Sequence, residues 1–138
     1  MHRPDTGPRS AFLPLVFVLL ALTGCAEKQV ATGIHQARQG DYSEAIASFR
    51  DALARDPGSA IARYNLGYAL SAKVRARAAG GEFDGAVDEL REANRRFDQA
   101  VALDPDRHAG DVATARRFNF TELYNLAIDT SARGALDD

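Results

Sequence analysis

A helical phrase occurs twice in this 138-residue chain, and each copy ends in Asp-Pro. The first runs through Gly40-Asp41-Tyr42-Ser43-Glu44-Ala45-Ile46, then Phe49, Ala52-Leu53 and Asp56-Pro57. The second opens at Ala60 and Tyr64-Asn65-Leu66-Gly67, passes Gly81-Glu82-Phe83-Asp84-Gly85-Ala86-Val87, and closes with Phe97, Ala100 and Asp104-Pro105. A repeated alternation of small and large residues bounded by proline is the pattern of paired, stacked helices, because one amphipathic helix cannot bury its apolar face alone. It predicts an all-α fold of antiparallel helix pairs and a binding scaffold in place of an enzyme.

Length leaves room for one domain. The formal net charge is −2, with 17 Lys and Arg against 19 Asp and Glu, so acids and bases are interspersed and no basic face for nucleic acid is indicated. After His2, the remaining histidines, His35 and His108, lie far apart and without cysteine or carboxylate clusters at ligand spacing, so neither a metal nor a cofactor is expected. No Gly-rich phosphate loop and no Gly-x-Ser-x-Gly is present. Asp41, Glu44, Asp84 and Asp88 fall at expected helix starts, where the helix dipole favours carboxylates without any catalytic role.

The amino terminus carries a separate signal. Arg3 and Arg9 precede an apolar run from Ala11 to Leu22, followed by Thr23-Gly24-Cys25. A basic start, a short apolar core and small residues describe a secretory leader over residues 1–24, and the run is shorter than the roughly 20 residues of a relaxed membrane span. Leu22-Thr23-Gly24-Cys25 resembles the bacterial lipobox. The resemblance implies cleavage before Cys25 and acylation of its thiol; an ordinary leader or a simple membrane anchor is the alternative. Two or more acyl chains, each buried CH₂ adding about 0.8 kcal/mol, would hold the protein stably on a bilayer. Ala26 follows Cys25, and in lipoproteins resembling those of enteric bacteria the lack of Asp there favours the outer membrane, facing the periplasm. The helical pattern starts at about Glu27, so the domain would sit close to the headgroups.

The two phrases resemble the tetratricopeptide repeat, a 34-residue antiparallel helix pair. Gly33, Gly40, Tyr42, Ala45, Phe49, Ala52 and Pro57 carry the likeness in repeat one (26–59), and Leu66, Gly67, Gly81, Phe83, Ala86, Ala100 and Pro105 in repeat two (60–107). Repeat two is longer. From Gly67 to Gly81 is 14 positions where Gly33 to Gly40 is 7, and Phe83 to Pro105 is 22 where Tyr42 to Pro57 is 15. Seven extra residues, about two turns, therefore enter each arm. Rows at every seventh position extend the apolar face: Phe83, Leu90 and Phe97; Ala86, Ala93 and Ala100; Val87, Asn94 and Val101, with Asn94 expected at the wet edge. Gly80-Gly81 marks the tip, where Lys73, Arg75 and Arg77 should lie alongside Asp84, Asp88 and Glu89.

A capping helix is expected over 108–131, either unbroken or divided near Asn119, where Asn119-x-x-Glu122 resembles a capping box; residues 132–138 form a tail, and the helical domain spans 25–131. The resemblance places a partner-binding groove on Glu27, Val30, Ile34 and Arg38 in repeat one and on Ile61, Tyr64, Tyr68 and Ala72 in repeat two. Members that clamp a terminal carboxylate use Lys and Asn at positions held here by Val30 and Ile34 or Tyr64 and Tyr68, so an apolar protein segment is the implied ligand. The alternative is that Tyr64 and Tyr68 pack under the capping helix. The expected role is a lipid-anchored adaptor for protein partners at the cell envelope; a structural subunit of a larger envelope assembly is the second reading.

Overall fold

The computed structural model describes residues 12–134, which form five helices: α1 (Phe12–Gln39), α2 (Tyr42–Arg55), α3 (Ala60–Ala78), α4 (Ala86–Leu103) and α5 (Pro105–Gly134). No strand occurs among the described residues. Arg3, Arg9 and the last four residues of the expected tail lie outside them. α1 packs on α2 and α3 on α4 as antiparallel hairpins, α2 and α3 join the pairs, and α5 lies across α3 and α4. The all-α expectation holds.

Local chemistry sets each boundary. Gly40, at φ 87°, turns the chain out of α1 in a left-handed conformation that glycine adopts at little cost. Between the pairs, the Asp56 carboxylate accepts from the Gly58 N–H at 2.9 Å and the Ser59 hydroxyl accepts from the Ala62 N–H at 3.2 Å, capping α3. Asp104 repeats the device for α5, accepting from the Arg107 N–H at 3.2 Å, while Pro105 occupies a first helical position that needs no donor. α1 begins at Phe12 and not near Glu27, and Pro14 is accommodated within its first turn.

The core is built twice on one plan. In the first pair Phe49 is 1% exposed and its ring lies against Gly33, where an added Cβ would come within 2.6 Å of it. In the second Phe97 is fully buried against Gly67, where an added Cβ would come within 2.8 Å of the ring and 3.0 Å of the Ala93 carbonyl. Ala45, Ala52, Ala93 and Ala100 complete the close seams. Small residues on one helix thus admit an aromatic from the other at close range.

The longer hairpin differs from expectation at its tip. α4 has 18 residues against 14 in α2, because part of the extra length forms the turn between Ala78 and Ala86. Gly81 and Gly85, at φ 83° and 71°, shape that turn. Phe83 consequently sits in the loop at 38% exposure and is not core, and Val87 faces solvent at 62%. The alanine row Ala86, Ala93 and Ala100 is the buried one. Near the tip Glu89 receives both Lys73 at 3.1 Å and Arg77 at 2.9 Å, but Asp88 pairs with Arg91, and Arg77 reaches only the backbone oxygen of Asp84. These partly exposed pairs contribute about 0–1 kcal/mol each. Glu92 bonds Arg96 at 3.4 Å as its spacing requires, and also Arg50 of the first pair at 3.0 Å. Asn94 lies at the exposed edge as expected, bonded to Arg116.

Urea unfolding checks the assignment of core and loop. Phe97→Ala should cost about 3–5 kcal/mol, whereas Phe83→Ala should change stability by no more than about 0.5 kcal/mol. Equal costs would contradict the placement of the seam.

Candidate functional site

The groove positions lie on α1 and α3, along the seam between the two helices. Helical spacing places Val30, Ile34 and Arg38 along α1 at every fourth residue, and Ile61, Tyr64 and Tyr68 along α3. The structure gathers them into two adjoining hollows of about 300 Å³ each. One is lined by Ala26, Val30, Ala31, Ile34 and Ile61, with Glu27, Asp56 and Ser59 also contributing to its wall. The other is lined by Ile34, Ala37, Arg38, Tyr64, Asn65 and Tyr68. Ile34 belongs to both, so one shallow trough runs along the α1–α3 seam.

The six residues are not equivalent within it. Val30 is 7% exposed and is part of the core, and Ile34, Ile61 and Tyr64 pack against that core. They form a floor. Arg38 and Tyr68 are exposed, the latter at 43%, and supply reach. Ala72, the last position implied by the resemblance, is buried at 3% and offers no surface. Cys25 is exposed one residue before the hollow begins at Ala26.

The two tyrosines divide between the alternatives raised by the sequence. Tyr64 does meet the closing helix: its ring stacks on buried His108 of α5 at 5.1 Å between centroids and touches Phe97 at 5.9 Å. Tyr68 keeps its exposed face, with the Arg75 guanidinium 6.0 Å from its ring. That guanidinium also lies 5.1 Å from the Phe118 ring, so an aromatic–cation–aromatic layer links α3 to α5.

At Asn119 the helix follows the unbroken alternative and not the capping box. α5 is one uninterrupted helix, and Asn119 lies within it at 8% exposure. Its amide donates to the Ser71 hydroxyl at 2.8 Å and its carbonyl accepts from Arg75. A buried amide finds its partners on α3 and not on its own backbone. The Glu122 side chain lies outside the described residues. Sequence reasoning did not anticipate this tie, nor a wider cleft of about 580 Å³ between α4 and α5 lined by Leu90, Asn94, Arg116, Asn119, Phe120 and Tyr124. The four-residue spacing of Phe120, Tyr124 and Ile128 was the available signal.

The trough has the makings of a binding surface: an apolar floor, two amphipathic side chains at one end, and carboxylates at the other. Among the described residues, no group of three or more His, Cys, Asp or Glu could hold a metal ion, and nothing points to enzymatic activity.

Burial, helped by the charges of Asp111 and Tyr68, pushes the Tyr64 phenol above its ordinary value of 10.0. The unfolded chain therefore loses this proton first. The associated stability is present below the ordinary value and is lost as pH rises through the folded one. Denaturation midpoints measured across the alkaline range should fall less steeply for Tyr64→Phe than for the native chain. Identical slopes would contradict the buried placement of the phenol.

No curated protein matches the chain significantly, and neither does any solved structure. A family match does occur, and it covers the α1 side of the trough, the whole first turn between pairs and most of the second hairpin: residues 30–93 match the tetratricopeptide repeat.

Proposed function

We propose that the protein is a lipid-anchored tetratricopeptide scaffold that holds an apolar segment of another protein in the α1–α3 trough at the bacterial cell envelope. The observation that carries this reading is the trough itself, in which Val30, Ile34, Ile61 and Tyr64 present a packed apolar floor beside exposed Tyr68 and Arg38. Such a surface suits an extended or helical segment whose apolar side chains enter the hollows, with Tyr68 as an anchor at the edge. The match to a repeat family whose members generally mediate protein–protein contacts supports the same class of function.

The envelope part rests on the leader and on Leu22-Thr23-Gly24-Cys25. Acylation at Cys25 would set the hollow that begins at Ala26 beside the headgroups, so the trough would receive partners near the bilayer surface. Ala26 after the cysteine favours the outer membrane on its periplasmic side.

A photo-crosslinking residue in place of Arg38 tests the trough in cells. It should capture a discrete protein, and adding Tyr68→Ala should weaken that capture by roughly ten-fold, the effect of losing an anchor worth about 1.4 kcal/mol. Capture of lipid or small molecules alone would overturn the scaffold reading. Labelling addresses the anchor separately: Cys25→Ser should abolish fatty-acid labelling and leave the leader uncleaved, and unchanged labelling would contradict acylation at that thiol.

A further inference from the structure

The charges along the α1–α3 trough are sorted by sign. In the hollow that begins at Ala26 the charged lining residues are Glu27 and Asp56, and in the adjoining hollow the charged lining residue is Arg38. Between α3, α4 and α5 opposite charges meet within the fold, Lys73 and Arg77 on Glu89 and Arg116 on Asp98. In the trough they do not. Glu27 and Arg38 are exposed and make no ion pair among the described residues, and Asp56 turns one carboxylate oxygen to the Gly58 N–H. Asp111 of α5, whose charge reaches Tyr64, lines neither hollow. From Glu27 to Arg38 along α1 is about three helical turns, or about 16 Å, with Val30 and Ile34 between them on the same face.

The floor offers an extended guest no backbone partners. Both walls are helices whose own N–H and C=O groups are bonded internally, and Asn65, the amide among the lining residues, donates to the Ile61 carbonyl at 2.8 Å. A strand laid on Val30, Ile34, Ile61 and Tyr64 would leave main-chain groups unpaired against an apolar surface, whereas a helix satisfies its own.

We propose that the trough takes one amphipathic helix of a partner protein, with an acidic residue in its first turn against Arg38, a basic residue about three turns later against Glu27 and Asp56, and apolar residues between. This is the charge order that the dipole of the guest helix itself favours. It also fixes direction. α1 and α3 run the same way, since Ala26 and Val30 share one hollow with Ile61 and Arg38 shares the other with Tyr68. The guest therefore runs antiparallel to both, the relation that each already has to its hairpin mate. The inference rests on the reading of the trough as a docking surface and adds the form, charge order and direction of the guest.

The probe is a synthetic peptide of about four helical turns with Leu on one face, Glu in the first turn and Lys in the last. Fluorescence anisotropy follows its binding to the full-length protein in detergent micelles. It should bind several-fold tighter than versions with Gln, Lys or Glu at both ends, and the advantage should shrink as salt rises. Arg38 is exposed, so Arg38→Glu leaves the core untouched, and with it the version carrying Lys at both ends should become the tightest. A photoreactive group on the first turn should attach near Arg38 and Tyr68, and one on the last turn near Ala26 and Ala31. A version with proline at its centre and the same charges should lose most of the affinity. Equal affinities for all charge versions, or an unchanged ranking with Arg38→Glu, would overturn the charge order. Attachment at the opposite ends would overturn the direction, and undiminished binding of the proline version would overturn the helical form. If no version attaches to the trough at all, the docking reading itself fails.

Discussion

Two aromatic rings seated against two glycines hold the helix pairs at the distance on which the rest of the molecule depends. Phe49 meets Gly33 and Phe97 meets Gly67, and in both places a single methyl group on the glycine would intrude on the ring. The alanines of the same seams are buried beside these rings, and Val30, Ile34, Ile61 and Tyr64 join the core they close. A wider seam would leave a void in each pair and spread the trough. Glycine costs about 1 kcal/mol of helix propensity relative to alanine, so its presence at the middle of α3 is explained by packing and not by local preference.

That arrangement was largely legible in the chain, for a physical reason. The match between small and large residues is a property of spacing, and spacing survives in one dimension. The Asp-Pro stops, the glycine at the end of α1 and the alanine row of α4 follow from the same local rules. Phe83 was misread, and Asn119 left two readings open, because local pattern met tertiary structure. Phe83 keeps the seven-residue phase of Phe97, but α4 starts only after Gly85, which is left-handed, so Phe83 lies outside the helix to which that phase applies. Asn119 carries a capping signature, yet Ser71 and Arg75 on α3 offer its amide two partners and the helix runs on. Contacts between distant residues decide such cases, and no window along the sequence contains them.

The candidate site divides along the same line. The trough positions came from a resemblance to a repeat family, and the structure gathers all six along adjoining hollows. The unequal burial of the two tyrosines was not visible beforehand, because it depends on how far α5 reaches across α3. By stacking His108 on Tyr64, α5 turns one tyrosine into floor and leaves Tyr68 as the exposed edge. The closing helix therefore shapes the binding surface without lining it, while its own outer face carries a second apolar surface.

A double-substitution cycle on Gly67→Ala and Phe97→Leu tests the seam most directly. In the native background the added methyl should destabilise the fold by about 1–3 kcal/mol, although alanine is the better helix former. With Phe97→Leu, the ring edge that it would strike is gone, and most of that cost should disappear as a coupling energy. Simple additivity of the two substitutions, or stabilisation by Gly67→Ala alone, would contradict the account.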